Sequence, residues 1–493
     1  MRRVLKWIGG LLAVVVAAVV VLAAIVAVNT FRLGSKQLQV AAIPRAAVDE
    51  QGAAKRLAEA VRFKTISNFL NPDQDADALR GLREHIAASF PAFHAVAKRE
   101  IVGGHSLLYT WEGSDAAAKP IALLAHQDVV PVAPGTEKDW QQPPFDGVIA
   151  DGFIWGRGSW DDKGNLYSML EAAEQMAKAG FRPKRTIYFA FGHDEEVSGQ
   201  RGAKAIAALL ASRNVKLDFV LDEGLLITDG IMKGLDQPAA LIGVAEKGYA
   251  TLVLTSRATP GHSSMPPRET AIGMMAAALA RLEDHSLPAR VRGAVGEMFD
   301  TLAPEMHGFN RVVLSNLWLF KPLLVREFDK SGPTRAMVRT TTALTIFNAG
   351  DKDNVLPGNA EATVNFRLLP GDTQDSVTAH VRDTVKNDKI AIAPFPGNTN
   401  PPPVTGTAST GYRVLNQTIR EVFPDVIVAP GLMIAATDSR HYAGLTDNIF
   451  RFSPVRATSE DLKRFHGTNE RLSIANYADM IRFYLRFIQS SAG

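Results

Sequence analysis

The hydrophobic pattern divides the chain into an apolar N-terminal stretch and a longer region in which short strands and helices alternate. Residues 7–28 contain no charged side chain, and this run predicts one long apolar helix. Beyond residue 48, the apolar runs at 120–125, 185–191 and 217–222 predict buried strands. We therefore expect a globular region that follows a separate N-terminal helix.

An amphipathic helix is predicted between the first two of these strands. Leu166, Met169 and Leu170 lie on one helical face, with Ala173 further along it. Gly180 follows as a C-terminal cap. An alternation of strand, helix and strand is typical of a mostly parallel sheet with helices on its faces. The predicted fold class is therefore α/β with a mostly parallel sheet.

The pattern changes near Gly248, where strands with one exposed face replace the continuous apolar runs. The segment at 250–258 alternates in this way, and helices are predicted at 270–284 and at about 374–386. This strand-rich makeup indicates a small α+β domain inserted into the first one. Residues 287–338 show no clear pattern, and we interpret them as an enlargement of the insert.

The composition narrows the chemistry that the chain can carry. None of its 493 residues is a cysteine, which excludes disulfides, thiolate zinc sites, iron–sulfur clusters and cysteine nucleophiles. Any bound metal must therefore use His, Asp and Glu side chains. The 54 basic and 51 acidic residues give a net charge of +3, which is too small to indicate a nucleic-acid-binding protein.

The charges at the N-terminus bear on topology. Arg2, Arg3 and Lys6 carry the net charge, because without them the balance is 3 − 3 = 0. At about 1.5 Å per residue the helix at 7–28 is roughly 33 Å long, enough to cross a bilayer core. Positive charge before such a helix favours a cytoplasmic N-terminus. We expect an uncleaved single-pass signal anchor, rather than a cleaved signal peptide or a buried helix, with the rest of the chain outside the cytoplasm (periplasmic in a Gram-negative source).

Acidic and imidazole side chains follow the predicted strands in clusters. His126 and Asp128 come after the first strand, and Asp194–Glu196 come after the second. Asp222–Glu223 end the third strand, while Asp161–Asp162 precede the predicted helix. Because the carboxyl ends of parallel strands share one edge of a sheet, these residues are expected to converge. So many carboxylates would repel one another without a cation, and the sequence therefore predicts a divalent-metal site.

Eight motifs, in this order and spacing, resemble those of the two-zinc amidohydrolase and peptidase family, which includes aminoacylase, carnosinase and succinyl-diaminopimelate desuccinylase. The motifs are AHQDVVPV, GRGSWDDKGN, GHDEEVSG, VLDEG, TPGHSS, NVLPGNAEATVNFRLLPG, TDSRHY and HGTNER. The strongest similarity is to the branch of yeast carboxypeptidase S and the animal N-fatty-acyl-amino-acid hydrolase/synthase. The resemblance covers residues 48–487 and implies a zinc-peptidase domain with an inserted ferredoxin-like domain that acts as a lid or in dimerisation.

The resemblance implies two zinc ions per subunit, with cobalt or manganese as possible substitutes. His126 would bind one ion and Asp161 would bridge both. Glu196 and His466 would complete one of the two sites.

An acid from VLDEG would serve the other site. Relatives use either of two neighbouring acids here, so Asp222 is the predicted ligand and Glu223 the alternative. Asp128 matches a family carboxylate that would orient the His126 imidazole. The resemblance also implies a cis peptide bond between the two residues of Asp161–Asp162.

Catalytic and substrate-binding roles follow from the same resemblance. Glu195, beside a metal ligand, is the predicted general base, taking a proton from water and delivering it to the leaving amine. His262 in the insert would donate a hydrogen bond to the oxyanion when the domains close. Arg367 and Asn359 match positions that hold the substrate carboxylate or its neighbouring carbonyl, and Arg440 is a second candidate. Alternatively, the arginines form structural ion pairs and His262 is an ordinary surface histidine.

The predicted activity is zinc-dependent hydrolysis of an amide bond next to a free carboxylate, which releases a C-terminal amino acid from short peptides. The alternative is hydrolysis or synthesis of N-acyl amino acids, including fatty-acyl ones. A catalytically silent, membrane-tethered binding protein is disfavoured by the intact Glu195. The expected partners are the peptide or N-acyl amino acid and the membrane through the N-terminal helix. Some members of the family dimerise through the insert and others are monomers with an enlarged insert, so a homodimer is one of two alternatives.

These interpretations divide the chain into five segments. The predicted segments are a cytoplasmic tip with the transmembrane anchor at 1–32, a linker at 33–47, the catalytic domain at 48–245 and 395–493, and the insert at 246–394.

Overall fold

The computed structural model describes residues 2–41 and 43–493, except for the side chain of Arg2. Met1 in the predicted tip and Ala42 in the predicted linker lie outside the described residues. The strands are β1 (Lys98–Val102), β2 (Ser106–Trp111), β3 (Ile121–His126), β4 (Val148–Ala150), β5 (Phe153–Trp155), β6 (Ile187–Gly192), β7 (Val220–Thr228), β8 (Ala239–Glu246), β9 (Gly248–Arg257), β10 (Gly261–His262), β11 (Thr341–Ala349), β12 (Val355–Leu356), β13 (Asn359–Leu368), β14 (Ile390–Pro394), β15 (Ile427–Met433), β16 (Ile449–Ala457) and β17 (Arg471–Ser473).

Helices connect these strands, and four short 3₁₀ helices are found within the described residues at Glu137–Asp139, Glu195–Val197, Ala303–Glu305 and Asp438–Tyr442. The α-helices are α1 (Arg2–Arg32), α2 (Glu50–Val61), α3 (Ala76–Ser89), α4 (Pro91–Val96), α5 (Lys163–Lys178), α6 (Ala203–Ser212), α7 (Ala271–Asp284), α8 (Ala294–Leu302), α9 (Gly308–Ser315), α10 (Leu317–Phe328), α11 (Gly332–Val338), α12 (Gln374–Val385), α13 (Thr410–Val422), α14 (Ser459–Leu462) and α15 (Ile474–Ala492).

The largest sheet has eight strands in the order β1-β2-β6-β3-β7-β16-β8-β15. Four neighbouring pairs are parallel (β6 with β3, β3 with β7, β7 with β16, and β8 with β15). Three pairs are antiparallel (β1 with β2, β2 with β6, and β16 with β8). The sheet is therefore mixed, which corrects the predicted mostly parallel sheet. One cause is the short connection between β1 and β2, since only antiparallel strands can be joined by a tight turn.

Helices bury both faces of this sheet. Every residue of β3 is buried, and its side chains alternate between two cores. Leu123 packs in the core that contains α2, α5 and α15, whereas Leu124 packs in the core that contains α6. Burial on both faces explains why β3 is a continuous apolar run in the sequence.

A second, four-stranded sheet has the order β11-β13-β9-β14 and is antiparallel throughout. Its elements follow one another as strand, helix, strand, strand, helix and strand, with α7 and α12 as the helices. Along β13 buried and more exposed residues alternate, and Val364 and Phe366 pack with Met275 and Val381 in a separate core. After β14 the chain returns to the large sheet through β15 and β16.

The four helices at 294–338 pack differently from the prediction. Val295, Phe299 and Leu302 of α8 join the core of the large sheet, and α8 contacts β15. These helices therefore lie against the large sheet rather than enlarging the four-stranded one. The helices are short, and Pro322 lies inside α10. The sequence therefore contains no long periodic pattern that would predict them. The insert boundaries at 246 and 394 stay a prediction.

Among the described residues, one helix is long and apolar enough to cross a membrane. This is α1, whose apolar window has a mean hydropathy of 3.4 and no buried residue. A signal sequence near the N-terminus meets the same criteria of length and hydropathy. The predicted apolar helix is thus present.

Candidate metal centre and active site

The candidate ligands lie where two neighbouring strands end. His126 is the last residue of β3 and pairs with Gly192, the last residue of β6. Asp128 follows two residues later, and Glu195 and Glu196 lie in the 3₁₀ turn after β6. Because β3 and β6 are parallel neighbours, the segments that follow them meet at one edge of the sheet.

The Asp161 carboxylate lies between two imidazoles. Its Oδ1 is 3.1 Å from His126 Nε2, and its Oδ2 is 2.6 Å from His466 Nε2. Glu196 Oε1 lies 3.3 Å from the same nitrogen of His466. The Asp161–Asp162 peptide bond is cis, as the resemblance implied. The fold thus brings together His466 from the C-terminal segment and residues more than two hundred positions earlier.

These side chains fit a divalent metal. Donor atoms of His126, Asp161 and Glu196 all lie within 4.8 Å of one another. Glu196 Oε1 is buried, yet it makes no well-directed hydrogen bond with any described residue. A buried carboxylate oxygen without a hydrogen bond is costly unless a cation binds it. Imidazoles with carboxylates and no thiolate suit zinc, cobalt or manganese.

Negative charge predominates in this centre. Burial raises the pKa of Glu223 well above its usual value, and Asp161 and Asp162 raise it further. Burial also raises the pKa of Asp162, as does the charge of Asp161. For His126 burial opposes protonation, but hydrogen bonds to Asp128 and Asp161 raise its pKa well above the usual value. A bound cation would offset this excess of carboxylates.

Asp128 connects the imidazole to the acidic turn. Its backbone oxygen lies 2.9 Å from His126 Nδ1, which leaves Nε2 for a metal. Its carboxylate oxygens accept hydrogen bonds from the backbone amides of Glu195 and Glu196, each at 3.1 Å. Asp128 therefore orients a ligand through its backbone oxygen, and its carboxylate orients the turn that carries the predicted base.

The two acids of VLDEG lie inside β7 rather than at its end, which corrects their predicted position. The strand continues to Thr228, but its pairing with β16 becomes irregular after Arg451, which lies opposite Asp222. Asp222 Oδ1 and Oδ2 accept hydrogen bonds from the amides of Glu223 (2.9 Å) and Ser439 (2.7 Å). No described backbone amide holds the Glu223 carboxylate in this way. Both acids are buried.

A buried pair of Glu470 and Arg157 lies beside the metal centre. Both residues are in the quoted motifs, but no role was predicted for them. Glu470 Oε1 accepts hydrogen bonds from the backbone amides of Trp160 (3.0 Å) and Asp161 (3.2 Å). Its Oε2 lies 2.5 Å from Arg157 Nη1, and Arg157 Nη2 donates to the His466 carbonyl at 3.1 Å. This buried pair holds the Asp161 loop and the His466 loop together. The one indication of this pair in the sequence was that the acid of HGTNER, Glu470, had no assigned role.

Asp438 is a third site residue to which the motifs gave no role. It lies in the TDSRHY motif and is buried, and neither carboxylate oxygen makes a hydrogen bond with a described residue. Burial raises the pKa of Asp438 well above its usual value, and the charge of Asp222 contributes. Burial likewise raises the pKa of Glu195, with Asp438 adding to the effect. Asp438 therefore belongs to the same acidic cluster.

Two of the predicted substrate-binding residues lie near Glu195. The Arg367 guanidinium is 4.9 Å from the centre of the Tyr249 ring. Burial lowers the pKa of Arg367, the charge of Arg440 lowers it further, and Glu195 opposes this shift. Arg440 donates from Nη2 to the Ser198 carbonyl at 3.0 Å. Two cationic groups thus lie on the side of the metal centre that carries the predicted base.

The other two predicted residues lie at the far end of the four-stranded sheet. Asn359 begins β13 and Arg367 lies eight residues further along it, about 27 Å away at roughly 3.4 Å per residue. His262 is exposed, its Nδ1 lies 2.8 Å from Ser264 Oγ, and it pairs with Val355 just before Asn359. Within the described residues of one chain, Arg367 and Asn359 cannot contact the same small substrate. The predicted substrate residues therefore separate into two groups.

A mixed sheet that carries a His/Asp/Glu centre at its strand ends is the arrangement of a metal-dependent hydrolase. A family model described as peptidase family M20/M25/M40 matches residues 122–490, and this range contains all the predicted ligands. The chain belongs to this peptidase family. It is thus a metallopeptidase or amidohydrolase by descent, which confirms the predicted family and enzyme class.

Individual relatives cover most of the chain. N-fatty-acyl-amino acid synthase/hydrolase PM20D1 of Xenopus tropicalis is 45% identical over 436 residues, which is 88% of this chain and 84% of that protein. Probable carboxypeptidase S-like 2 of Dictyostelium discoideum is 41% identical over 473 residues, 94% of this chain and 91% of that protein. Both kinds of enzyme in the branch that the motifs resemble are therefore represented among the relatives.

A solved structure supports the fold alone. The M20 family metallo-carboxypeptidase Sso-CP2 from Sulfolobus solfataricus aligns with a TM-score of 0.64 at 19% identity and covers 90% of this chain and 99% of that one. The α/β fold with a mixed sheet is thus that of known M20 enzymes.

Proposed function

We propose that this protein hydrolyses an amide bond next to a free carboxylate, using bound zinc. The observation that carries the proposal is the grouping of His126, Asp161 and Glu196 donor atoms within 4.8 Å, with Glu195 in the same turn as Glu196. Cationic side chains close to this turn suit a substrate that ends in a carboxylate.

Two zinc ions, replaceable by cobalt or manganese, fit the donor set. The residues proposed to hold them are His126, Asp161, Glu196, Asp222 and His466. When bound, the metal acts as a Lewis acid that polarises the scissile carbonyl and makes water more acidic. Asp222 is preferred to Glu223 because two backbone amides orient its carboxylate, and ligating carboxylates are usually hydrogen-bonded in turn.

Glu195 is the proposed general base and acid. It removes a proton from the attacking water and returns it to the leaving amine nitrogen as the carbon–nitrogen bond breaks. Asp128 contributes by holding the backbone of the turn through two hydrogen bonds of 3.1 Å. This fixes the direction in which Glu195 presents its carboxylate.

Arg367 and Arg440 are the proposed partners of the substrate carboxylate. The planar guanidinium matches a carboxylate with two parallel hydrogen bonds. Arg367 stacks on Tyr249 and makes no ion pair of 4.0 Å or less with a described acid, so its charge is available. A carboxylate bound here places the adjacent amide bond toward the Glu195 side.

His262 and Asn359 are proposed to act across a homodimer. They lie at one end of the ferredoxin-like insert, about 27 Å along β13 from Arg367. A two-fold dimer formed through the insert can bring the distal end of one protomer to the metal centre of its partner. Because every contact in a two-fold interface occurs twice, both metal centres would then receive a distal end. His262 would then donate to the oxyanion, and the insert would serve as lid and dimerisation domain.

Two substrate classes share the proposed chemistry. Release of a C-terminal amino acid from a short peptide is supported by the relative named as carboxypeptidase S-like. Hydrolysis or synthesis of N-acyl amino acids is supported by the relative with 45% identity, named as an N-fatty-acyl-amino acid synthase/hydrolase. Both contain an amide next to a carboxylate, so the catalytic residues serve either class.

The location proposed for this chemistry is outside the cytoplasm. Helix α1 is proposed to cross the membrane once, with the basic residues before its apolar stretch on the cytoplasmic side. Its length and its mean hydropathy of 3.4 support this.

The test is a hydrolysis screen with the purified full chain in detergent and added zinc, cobalt or manganese. Dipeptides, N-acetyl amino acids and N-long-chain-acyl amino acids are compared with the amides of the same compounds, which lack the free carboxylate. We expect turnover only with the free acids, and loss of turnover with a chelator. Equal turnover of acid and amide, or activity that survives chelation, would contradict the proposal.

A further inference from the structure

The end of α1 is bound to the globular domain and is not a free tether. The buried Asn316 donates from Nδ2 to Thr30 Oγ1 at 3.1 Å and to the Val26 carbonyl at 3.3 Å. Its Oδ1 accepts a hydrogen bond from Asn29 Nδ2 at 3.0 Å. Because Asn316 joins α9 to α10 and is fully buried, these bonds hold the last turns of α1 against both helices.

A cation caps the same helix end. Arg311 of α9 donates from Nε to the Thr30 carbonyl and from Nη2 to the Leu33 carbonyl, each at 3.2 Å. Carbonyls at a helix C-terminus carry partial negative charge, which a guanidinium stabilises. Further on, Gln37 exchanges two hydrogen bonds with the backbone of Val428 on the edge strand β15 (2.8 and 3.0 Å). The edge of the large sheet formed by β15 therefore lies next to the end of α1.

Exposed apolar side chains lie on the elements that hold α1. Phe31 is 82% exposed, Phe309 of α9 is 63% exposed and Trp318 of α10 is 59% exposed. Leu323 and Lys321 of α10 are also exposed. We call this set of five exposed side chains, which lie around α10 and on the adjoining α1 and α9, the interfacial face.

The depth of this face follows from α1. If the apolar residues 7–28 fill the hydrocarbon core, Asn29 and Thr30 lie at its boundary. The helices bonded to those two residues then lie at the level of the lipid headgroups. Aromatic side chains with a lysine are typical of that level, because their apolar bodies enter the acyl region while polar ends stay in water.

We propose that the interfacial face lies in the headgroup layer of the bilayer that α1 crosses, so that the protein is held by a helical anchor and by a monotopic contact. The inference rests on the proposed transmembrane role of α1. The occupant is a phospholipid bilayer, and Lys321 favours anionic headgroups. The rigid junction at Asn316 keeps the same side of the domain against the lipid.

The absence of cysteine allows a direct test. Single variants Val14→Cys, Leu323→Cys and Ile101→Cys of the full chain carry the fluorophore NBD in vesicles of phosphatidylethanolamine and phosphatidylglycerol. Ile101 is an exposed apolar control on β1, at the opposite edge of the large sheet from β15. Quenching by phospholipids brominated near the ester end of the acyl chain reports contact with lipid.

We expect the label at Leu323 to be quenched at least half as strongly as the label at Val14, and the label at Ile101 to stay unquenched. A Leu323 label that behaves like the Ile101 label overturns the inference. So does a Leu323 label that is shielded from water but unquenched, because a second copy of the chain then covers the face. Trp318→Cys repeats the measurement in case Leu323→Cys fails to fold.

The Val14 label separates the two proposals. If it is unquenched, α1 does not span the bilayer, and the inference fails with the transmembrane role. If Val14 is quenched and Leu323 is not, the transmembrane role stands and the monotopic contact alone is wrong. Circular dichroism of the same preparations shows that each variant is folded, so the quenching results do not depend on the proposed chemistry.

Discussion

The metal centre and the distal end of the insert carry residues assigned to one reaction, but they are built differently. At the centre, Asp161 lies within 3.1 Å of two imidazoles, and backbone amides hold Asp128. At the distal end, the His262 side chain is exposed, and among the described residues it makes its hydrogen bonds with Ser264. All the proposed metal ligands come from one chain, whereas the distal residues have no catalytic neighbour among the described residues. From this difference we propose that each protomer binds its own metal and that catalysis also needs the distal end of a second protomer.

The first prediction tests the centre and has the largest expected effect. Glu195→Gln should lower kcat/KM by about 10³-fold, because it removes proton transfer to and from the reacting groups. Zinc content, measured by mass spectrometry, should stay unchanged because Glu195 is not a proposed ligand. Glu100→Gln, which alters an acid paired with Arg213 at the surface, serves as the control. Full activity in Glu195→Gln would show that another group is the base.

The second prediction tests the distal end. His262→Ala should lower kcat by about 10²-fold through loss of an oxyanion donor. If His262 acts across a dimer, mixing inactive His262→Ala with inactive Glu195→Gln should restore up to about one quarter of wild-type activity, since half the molecules become heterodimers with one intact site.

Activity in the mixture is compared with that of each variant alone after subunit exchange. His285→Ala, on the same insert with a backbone contact of its own, should leave kcat unchanged. A mixture no more active than its components would place His262 in its own protomer's site or outside the reaction.

The third prediction resolves the two acids of β7. Asp222→Asn should reduce the zinc content from two ions to one and lower activity by about 10²-fold, because it removes a charged ligand. Glu223→Gln should keep two ions, since no backbone amide orients its carboxylate. Metal analysis after dialysis measures both variants. The reverse result would make Glu223 the ligand.

The fourth prediction concerns the support of the centre and has the smallest effect. Glu470→Gln should weaken zinc binding by about 10-fold, because it loosens the loop that carries Asp161. Zinc affinity is measured by competition with a chelator, and excess zinc should restore most activity. Glu421→Gln, which breaks an ion pair between the buried Glu421 and the partly exposed Arg486, should leave zinc affinity unchanged. Equal losses in both variants would indicate general destabilisation instead.

Much of the fold followed from local pattern. The runs predicted at 120–125 and 185–191 correspond to β3 and β6, and the helices at 270–284 and 374–386 to α7 and α12. A strand that is buried on both faces is a continuous apolar run, whereas a strand buried on one face alternates apolar and polar residues. Both patterns can therefore be read from the sequence. The helices at 294–338 were not predicted, because each is short and Pro322 lies inside α10. The sheet's antiparallel pairs were also missed, since strand direction depends on connections and not on composition.

The sequence by itself determined the kind of chemistry. The lack of cysteine, the motif order and the adjacent Glu195 and Glu196 restrict the chain to a His/Asp/Glu metal centre and name its family. Those conclusions depend on which residues are present, which is a property of the chain alone.

The tertiary structure decided which residues meet. It brought His466 to Asp161, revealed Glu470 as the support of that loop, and separated Asn359 from Arg367 along a single strand. It also bound the end of α1 to Asn316, a contact between distant residues that the sequence did not predict. Distances between residues far apart in the chain are set by strand order, register and packing, because these depend on the whole fold and leave no local signal.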